Sequence, residues 1–186
     1  MTTAELFSSV VGALEETGIP YMLTGSYASS FHGSPRATRD IDIVIAPNEV
    51  QLREFAARFP ESEYYFDLPA ALEALRQRAE FNVIDLVAGW KIDFIIRRDR
   101  PFSLEEFDRR QKAVLQGVDL TVATAEDVII AKLEWSKLGE SSRQIEDAAG
   151  ILRIRGGELD LGYIDAWVER LGLGSQWEAA QRWGDH

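Results

Sequence analysis

The chain of 186 residues is long enough to bury a sizeable core, and 46% of its residues are hydrophobic. It contains no cysteine, which excludes disulfides, thiolate metal sites and cysteine nucleophiles. Its formal net charge of −11 disfavours binding to extended RNA or DNA, because proteins that grip a nucleic-acid backbone present basic surfaces. The charge is better matched to a protein or a cationic small molecule as binding partner. The alternative is that the acidic residues serve solubility alone.

The sequence has neither of the segments that would direct it to a membrane. No apolar run reaches the roughly 18 residues of a spanning helix. The N-terminal residues lack the basic and then apolar pattern of a signal peptide. We therefore expect a cytoplasmic protein that does not enter a membrane.

The first part of the chain predicts helix, strand, helix and strand in turn. Apolar residues at helical spacing over 3–17 end at Gly18, and 20–24 follows as a strand. A short helix is predicted over 26–33, and the next strand is Asp40–Ile45. The period of two in that strand places Asp40 and Asp42 on one face and three isoleucines on the other: Ile41, Ile43 and Ile45.

Asp40 and Asp42 predict a metal site. Two carboxylates on one strand face repel each other unless a cation lies between them, and a pair of Mg²⁺ ions about 3.5–4 Å apart would serve. Gly25 and Ser26 stand where the first strand meets a helix, so backbone N–H groups there can hold phosphate oxygens. The alternative is an N-capping aspartate beside an exposed one.

The combination resembles the signature of the nucleotidyltransferase superfamily, which includes DNA polymerase beta and the minimal nucleotidyltransferases. It consists of Leu23-Thr24-Gly25-Ser26, thirteen intervening residues, and Asp40-Ile41-Asp42-Ile43. Thr24 departs from the hydrophobic residue that is usual at its position. The resemblance implies an α/β (α+β) fold, with a mixed sheet flanked by helices.

The middle of the chain carries a third acid. Helices are predicted from Pro47-Asn48 to about Phe59 and from an Asp67 N-cap to about Ala79, with a short strand at 63–66 between them. A hairpin then turns at Ala88-Gly89.

Asp93 lies in the second strand of that hairpin, among apolar residues, where an unpaired carboxylate is expensive to bury. In the superfamily, a third acid on the neighbouring strand completes the metal site and helps to activate the attacking hydroxyl, and Asp93 matches it. Asp85 is a weaker candidate for the same role. The alternative for Asp93 is a salt bridge with Lys91 or Arg97.

From about residue 124 the composition changes to helix alone. Before that point, a helix is predicted over 103–110 with a Ser103–Glu106 capping box, and strands over 113–115 and 118–122. Thr124 is the predicted N-cap of a helix to about Leu138, and helices follow at 141–154, 161–171 and 175–183. We predict a nucleotidyltransferase core of residues 1–123 and a C-terminal helical subdomain of residues 124–186.

The helical tail, with Lys132, Arg143 and Asp147, resembles that of AbiEii/AbiGii-type nucleotidyltransferases and related bacterial proteins. The resemblance implies that Lys132 and Asp147 flank the nucleotide, and a plain ion pair between the two is the alternative. Arg36 is a candidate triphosphate ligand, although it or Arg39 could instead neutralise the acids. With only His32 and His186 in the chain, a histidine triad or zinc cluster is poorly supported.

The resemblance implies a metal-dependent nucleotidyltransferase that moves an NMP from an NTP to a hydroxyl of a protein, an RNA or a small molecule. Two Mg²⁺ ions are expected, and Mn²⁺ would suit the same ligands. The alternatives are an antibiotic nucleotidyltransferase and a binding module of a toxin–antitoxin pair with weak or no turnover. The expected roles are metal binding and catalysis for Asp40, Asp42 and Asp93, and nucleotide binding for Gly25, Ser26, Arg36 and Lys132.

Overall fold

The computed structural model describes residues 2–35, 37–38, 40–139 and 141–184. Over these residues the chain forms a seven-stranded sheet with helices. The helices are α1 Thr3–Glu16, α2 Gly25–His32, α3 Glu49–Ala56, α4 Leu68–Gln77, α5 Pro101–Arg109, α6 Ala125–Gly139, α7 Ser142–Arg155, α8 Leu161–Leu171 and α9 Gly174–Gly184. The strands are β1 Tyr21–Thr24, β2 Asp40–Ile45, β3 Tyr64–Phe66, β4 Glu80–Asp85, β5 Lys91–Ile96, β6 Gln111–Leu115 and β7 Val118–Val122.

The sheet is mixed, with the strand order β3-β4-β5-β2-β1-β7-β6. Strands β2 and β5 run parallel, as do β1 and β7. The remaining pairs β3/β4, β4/β5 and β6/β7 are antiparallel. The α/β class with a mixed sheet, predicted from the sequence, is confirmed.

The chain forms two compact units. The first combines Met1–Leu23 with Thr38–Val122, and the second combines Thr24–Ala37 with Ala123–His186. Helix α2 therefore packs with the C-terminal helices, although it precedes most of the sheet in sequence. The division into domains of residues 1–123 and 124–186 remains a prediction.

A cluster of aromatic residues in the core of the first unit packs on the face of the sheet that carries Phe94. Phe55 of α3 packs edge-on against Phe94 of β5, with ring centroids 5.2 Å apart. Phe81 of β4 stacks on Phe94 at 5.3 Å, and Phe59 and Phe66 extend the cluster. Offset and edge-to-face pairs of this kind stabilise a core beyond the area that they bury.

Side-chain caps define where several helices begin. Thr2 and Glu5 form a reciprocal capping box at α1, and Asn48 and Gln51 form another at α3. Asp67 accepts a hydrogen bond of 2.9 Å from the backbone N–H of Ala70, so its predicted role as N-cap of α4 is confirmed.

The predicted start of α5 is wrong. The helix begins at Pro101 with Arg100 as its N-cap, because the fixed φ of proline suits the first helical position. Ser103 consequently lies inside the helix, where its Oγ accepts a hydrogen bond of 2.9 Å from Arg100 Nε. Glu106 is buried within the same helix instead of closing a capping box.

Within the described part of the chain, no helix is both long enough and apolar enough to cross a bilayer.

Candidate active site on the polar face of the sheet

Strands β4, β5 and β2 are neighbours in the sheet. On one face, β2 and β5 carry apolar side chains that are at most 1% exposed: Ile41, Ile43, Ile45, Ile92, Phe94 and Ile96. We call the other face, which carries their aspartates, the polar face. Their alternation leaves the intervening residues on the opposite face, as the period of a strand requires. The acidic residues of both strands therefore share the polar face.

The parallel pairing of β2 and β5 sets Asp42 directly beside Asp93, and Asp40 beside Lys91. Neighbouring strands lie about 4.8 Å apart, and residues in register point to the same face, so Asp42 and Asp93 are direct neighbours on that face. Asn82 of β4 is the register partner of Asp93 on its other side. The sheet thus places Asp42 and Asp93 side by side, with Asp40 two residues before Asp42 on the same strand.

A lysine already neutralises part of this acidic face. Lys91 Nζ donates a hydrogen bond of 2.8 Å to Asp93 Oδ2, and the two side chains are 46% and 18% exposed. This bond raises the pKa of the Lys91 ammonium against the opposing effect of partial burial, and the charges of Asp93, Asp40 and Glu80 add to the rise. The salt bridge considered for Asp93 is therefore present, with Lys91 as its partner.

The donor set fits a hard divalent cation in type. Mg²⁺ and Mn²⁺ prefer carboxylate and other oxygen ligands, and Asp40, Asp42 and Asp93 supply carboxylates on one face. Among the described residues, however, no three acidic or histidine side chains are gathered closely enough to hold an ion. One oxygen of the Asp93 carboxylate, Oδ2, accepts a hydrogen bond from Lys91.

Asp85, the weaker candidate for the third acid, lies on the opposite face of the sheet from Asp93. It is 1% exposed, and its Oδ1 accepts hydrogen bonds from the backbone N–H groups of Val87 at 2.8 Å and Ala88 at 3.0 Å. These bonds close the hairpin turn between β4 and β5. The structure therefore gives Asp85 a turn-forming contact and does not place it with the other acids.

In the second unit, Gly25 and Ser26 form the first turn of α2. Gly25 has a φ of +64°, a left-handed conformation that suits glycine and lets the chain turn sharply from β1 into the helix. Thr24, the N-cap residue, makes no side-chain hydrogen bond to this turn. The arrangement matches the predicted strand-to-helix junction, whose N–H groups are suited to anions. Arg36 and Arg39 lie outside the described residues.

Lys132 of α6 and Asp147 of α7 form a buried ion pair in the second unit. Lys132 Nζ lies 2.8 Å from Asp147 Oδ2, and the side chains are only 5% and 8% exposed. A cavity of about 280 Å³ adjoins Asp147, and its lining also includes Ser34, Glu146, Arg153 and Trp183. The contact proposed as the alternative to nucleotide binding is thus present, and the cavity beside it is large enough for small polar groups.

His32, at the end of α2, is a buried packing residue of the second unit. Its Nε2 lies 2.7 Å from the carbonyl oxygen of Ala123, which fixes the donating tautomer. Burial lowers the pKa of His32, against the hydrogen bond to Ala123, and the Arg155 guanidinium lowers it further. His186 lies outside the described residues.

Two residues of the polar face were not predicted as site residues. The sequence predicted Lys91 only as an alternative salt-bridge partner of Asp93, and it predicted no role for Asn82. The signal for Lys91 was its position two residues before Asp93, which places both side chains on one strand face. The signal for Asn82 was weaker, because its alignment with Asp93 depends on the length of the hairpin turn.

The fold of this chain is similar to that of solved structures described as nucleotidyltransferases or nucleotidyltransferase-like. An antigenic nucleotidyltransferase-like protein from Paracoccidioides brasiliensis superposes with a TM-score of 0.57 at 15% identity, covering 94% of this chain and 91% of its own. ANT(2")-Ia in complex with adenylyl-2"-tobramycin gives 0.55 at 14% identity, with coverage of 95% and 99%. A putative nucleotidyltransferase from Thermotoga maritima gives 0.50 at 13% identity, with coverage of 77% and 92%.

No protein-family model matches the sequence, and the comparison with curated proteins gave no match. At these low identities, the structural similarity establishes the fold and leaves the chemistry to the site. The chain has the fold of the nucleotidyltransferase-like proteins.

Proposed function

We propose that this protein is a metal-dependent nucleotidyltransferase that moves an NMP from an NTP to a hydroxyl acceptor. The observation that carries the proposal is the register of Asp42 beside Asp93 on the polar face, with Asp40 on the same strand. This pairing occurs in a chain with the nucleotidyltransferase fold. A purely structural role would not require three carboxylates on one face of two adjacent strands, where they repel one another.

Asp40, Asp42 and Asp93 are the residues that would hold two Mg²⁺ ions, and Mn²⁺ would suit them equally. Bound there, the ions would stabilise charge on the transferring phosphoryl group and lower the pKa of the acceptor hydroxyl. Asp93 is also the group that would accept the hydroxyl proton. Lys91 holds Oδ2 of Asp93, so that oxygen takes either role only after Lys91 releases it.

The remaining residues would hold the nucleotide. The backbone N–H groups of Gly25 and Ser26 would bind oxygens of the β- and γ-phosphates. Lys132 would neutralise charge on the leaving group, and Arg36 is proposed as a further ligand of the triphosphate.

The reaction exchanges a phosphoanhydride bond of the NTP for a phosphate ester bond to the acceptor. The acceptor oxygen forms a bond to the α-phosphorus, the bond from that phosphorus to the bridging oxygen breaks, and pyrophosphate leaves with its negative charge. Placement of the two oxygens and stabilisation of charge contribute most of the rate, as in other phosphoryl transfers.

A cationic antibiotic is the acceptor class with a specific observation in its favour. The similarity to ANT(2")-Ia in complex with adenylyl-2"-tobramycin extends over 95% of this chain, and the net charge of −11 attracts cations. A protein acceptor, or a protein partner in a toxin–antitoxin pair, is the competing proposal. The AbiEii/AbiGii-type specificity rests on the tail residues alone.

The test is transfer of label from each α-labelled NTP, with Mg²⁺, into a cell lysate and separately into a panel of aminoglycosides. Pyrophosphate release is measured in parallel. We expect label to enter one acceptor class and to be lost in Asp42→Asn and in Asp93→Asn. The matched control is Asp119→Asn, which alters an exposed aspartate of β7 and should leave the rate unchanged.

Metal-dependent binding of an NTP with no transfer and no pyrophosphate release in any arm would favour the binding module. Equal transfer by wild type and Asp42→Asn would contradict the proposed site.

A further inference from the structure

The polar face carries one basic residue among its acids, and that residue lies where it competes with a metal ion. Lys91 is the register partner of Asp40 and stands two residues before Asp93 on the same strand. Its ammonium is 2.8 Å from Asp93 Oδ2, the hydrogen-bonding distance of a charge-assisted pair. The ammonium therefore occupies Oδ2, one of the two Asp93 oxygens that a cation could use.

A divalent ion and an ammonium cannot both approach one carboxylate oxygen without strong repulsion, because Coulomb energy rises steeply at short distance. The pair is not buried deeply: the side chain of Lys91 is 46% exposed. Its flexible stem can move the ammonium into water at little cost in hydrogen bonding. A metal ion can therefore displace Lys91, and the energetic cost of doing so is the loss of the Lys91–Asp93 ion pair.

On the basis of the proposed function, we propose that Lys91 is an internal counter-ion that competes with the divalent cation for Asp93. In the metal-free protein it neutralises the Asp93 carboxylate. A cation that binds through Asp93 Oδ2 displaces it, so that Lys91 raises the cation concentration at which the site fills.

Binding of Mn²⁺ to the nucleotide-free protein, followed by electron paramagnetic resonance of the free ion, tests this without reference to activity. Lys91→Met and Lys91→Gln should each bind Mn²⁺ on the order of tenfold more tightly than wild type, which is about 1.4 kcal/mol. Lys91→Arg, which keeps the charge, should stay close to wild type. Glutamine retains hydrogen-bonding capacity and serves if the methionine variant folds poorly.

Two controls separate direct competition from a general loss of positive charge. Lys112→Met removes an exposed lysine from β6 and should leave Mn²⁺ affinity unchanged. In an Asp93→Asn background the competition is absent, so Lys91→Met should have little further effect.

Unchanged or weaker Mn²⁺ binding in both Lys91→Met and Lys91→Gln overturns the inference, as does an equal gain in Lys112→Met. If the Lys91 inference is overturned in this way, but wild type binds Mn²⁺ and Asp42→Asn does not, the proposed function still stands. If neither wild type nor either Lys91 variant binds Mn²⁺, with or without ATP, the proposed metal site fails and the inference fails with it.

Discussion

Two lysine–aspartate pairs in this protein have the same contact distance and different surroundings. Lys91–Asp93 and Lys132–Asp147 both have N···O distances of 2.8 Å, but only the second is almost entirely buried. Exposed pairs contribute little to stability, whereas breaking a buried pair leaves an uncompensated charge. Variants of the two pairs should therefore behave differently.

We predict that Lys132→Met lowers the free energy of unfolding by about 3–5 kcal/mol, because Asp147 is left as a buried carboxylate without its lysine. Urea denaturation followed by circular dichroism measures the loss. The matched change Lys91→Met should cost about 1 kcal/mol or less.

The double variant Lys132→Met/Asp147→Leu separates a structural role from nucleotide binding. Replacing a buried ion pair by apolar residues is often neutral, so most of the stability should return. If Lys132 also binds the nucleotide, as proposed, NTP affinity should remain low in this stable variant. Recovery of both stability and NTP affinity would show that Lys132 serves only to pair with Asp147 and does not bind the nucleotide.

We predict that the buried His32 makes the folded protein less stable on mild acidification. Because burial lowers its pKa, the folded state favours the neutral ring, while the unfolded chain binds a proton near pH 6.5. The stability that depends on neutral His32 is therefore complete above about pH 6.5 and falls as the pH drops towards the lowered folded value. Thermal melts between about pH 7.5 and about pH 5.5 should show a smaller shift for His32→Gln than for wild type.

The contribution of Glu126 to His32 acts against this shift, because it raises the pKa. An equal pH dependence in wild type and His32→Gln would show that other groups control stability over this range.

At the scale of elements, the close approach of α2 to α7 depends on Gly33. A Cβ at this position would lie 2.8 Å from the backbone nitrogen of Ile151 and 2.9 Å from the carbonyl carbon of Gly150. Backbone atoms cannot move aside as a flexible side chain can. We predict that Gly33→Ala costs about 1–3 kcal/mol, the usual range for overpacking, in chemical denaturation.

Gly12 provides a control of opposite sign. It lies within α1, and a Cβ there would meet nothing within 4 Å. Gly12→Ala should stabilise the protein by up to about 1 kcal/mol through helix propensity. Equal effects of the two substitutions would contradict the tight α2–α7 contact.

Most elements could be predicted from hydrophobic periodicity and caps. The predicted bounds of α8 match the observed Leu161–Leu171, and β2 matches Asp40–Ile45. The start of α5 could not be read correctly from the Ser103–Glu106 pattern, because Pro101 offers an earlier start and burial of Glu106 depends on tertiary packing. The start of a helix can be predicted from local sequence where no second start pattern lies within one turn of the first.

At the scale of the whole molecule, the candidate site depends on strand order, which local sequence does not encode. The positions of Asp40, Asp42 and Asp93 on strands followed from alternation. The one-to-one alignment of Asp42 with Asp93 arises because β5 enters the sheet parallel to β2, between β2 and β4. The Lys91–Asp93 salt bridge, by contrast, is one of the two alternatives that the sequence offered for Asp93, because Lys91 stands two residues before it on the same strand face.

Which acceptor the protein uses is determined by its surface and not by its fold. One fold supports many acceptors, and the net charge of −11 narrows the choice only towards cations and proteins. The label-transfer experiment therefore tests both a cell lysate and aminoglycosides as sources of the acceptor.

The central claim is that Asp42 and Asp93 act together on one divalent ion, and a double-mutant cycle of Mn²⁺ affinity tests it most directly. Each of Asp42→Asn and Asp93→Asn should weaken binding by at least about tenfold, since even residues one shell away from a metal cost 10- to 100-fold. The double variant should lose clearly less than the product of the two single losses, because the first substitution already disables the shared site. Wild-type affinity in either single variant, or strictly independent losses, would contradict the account.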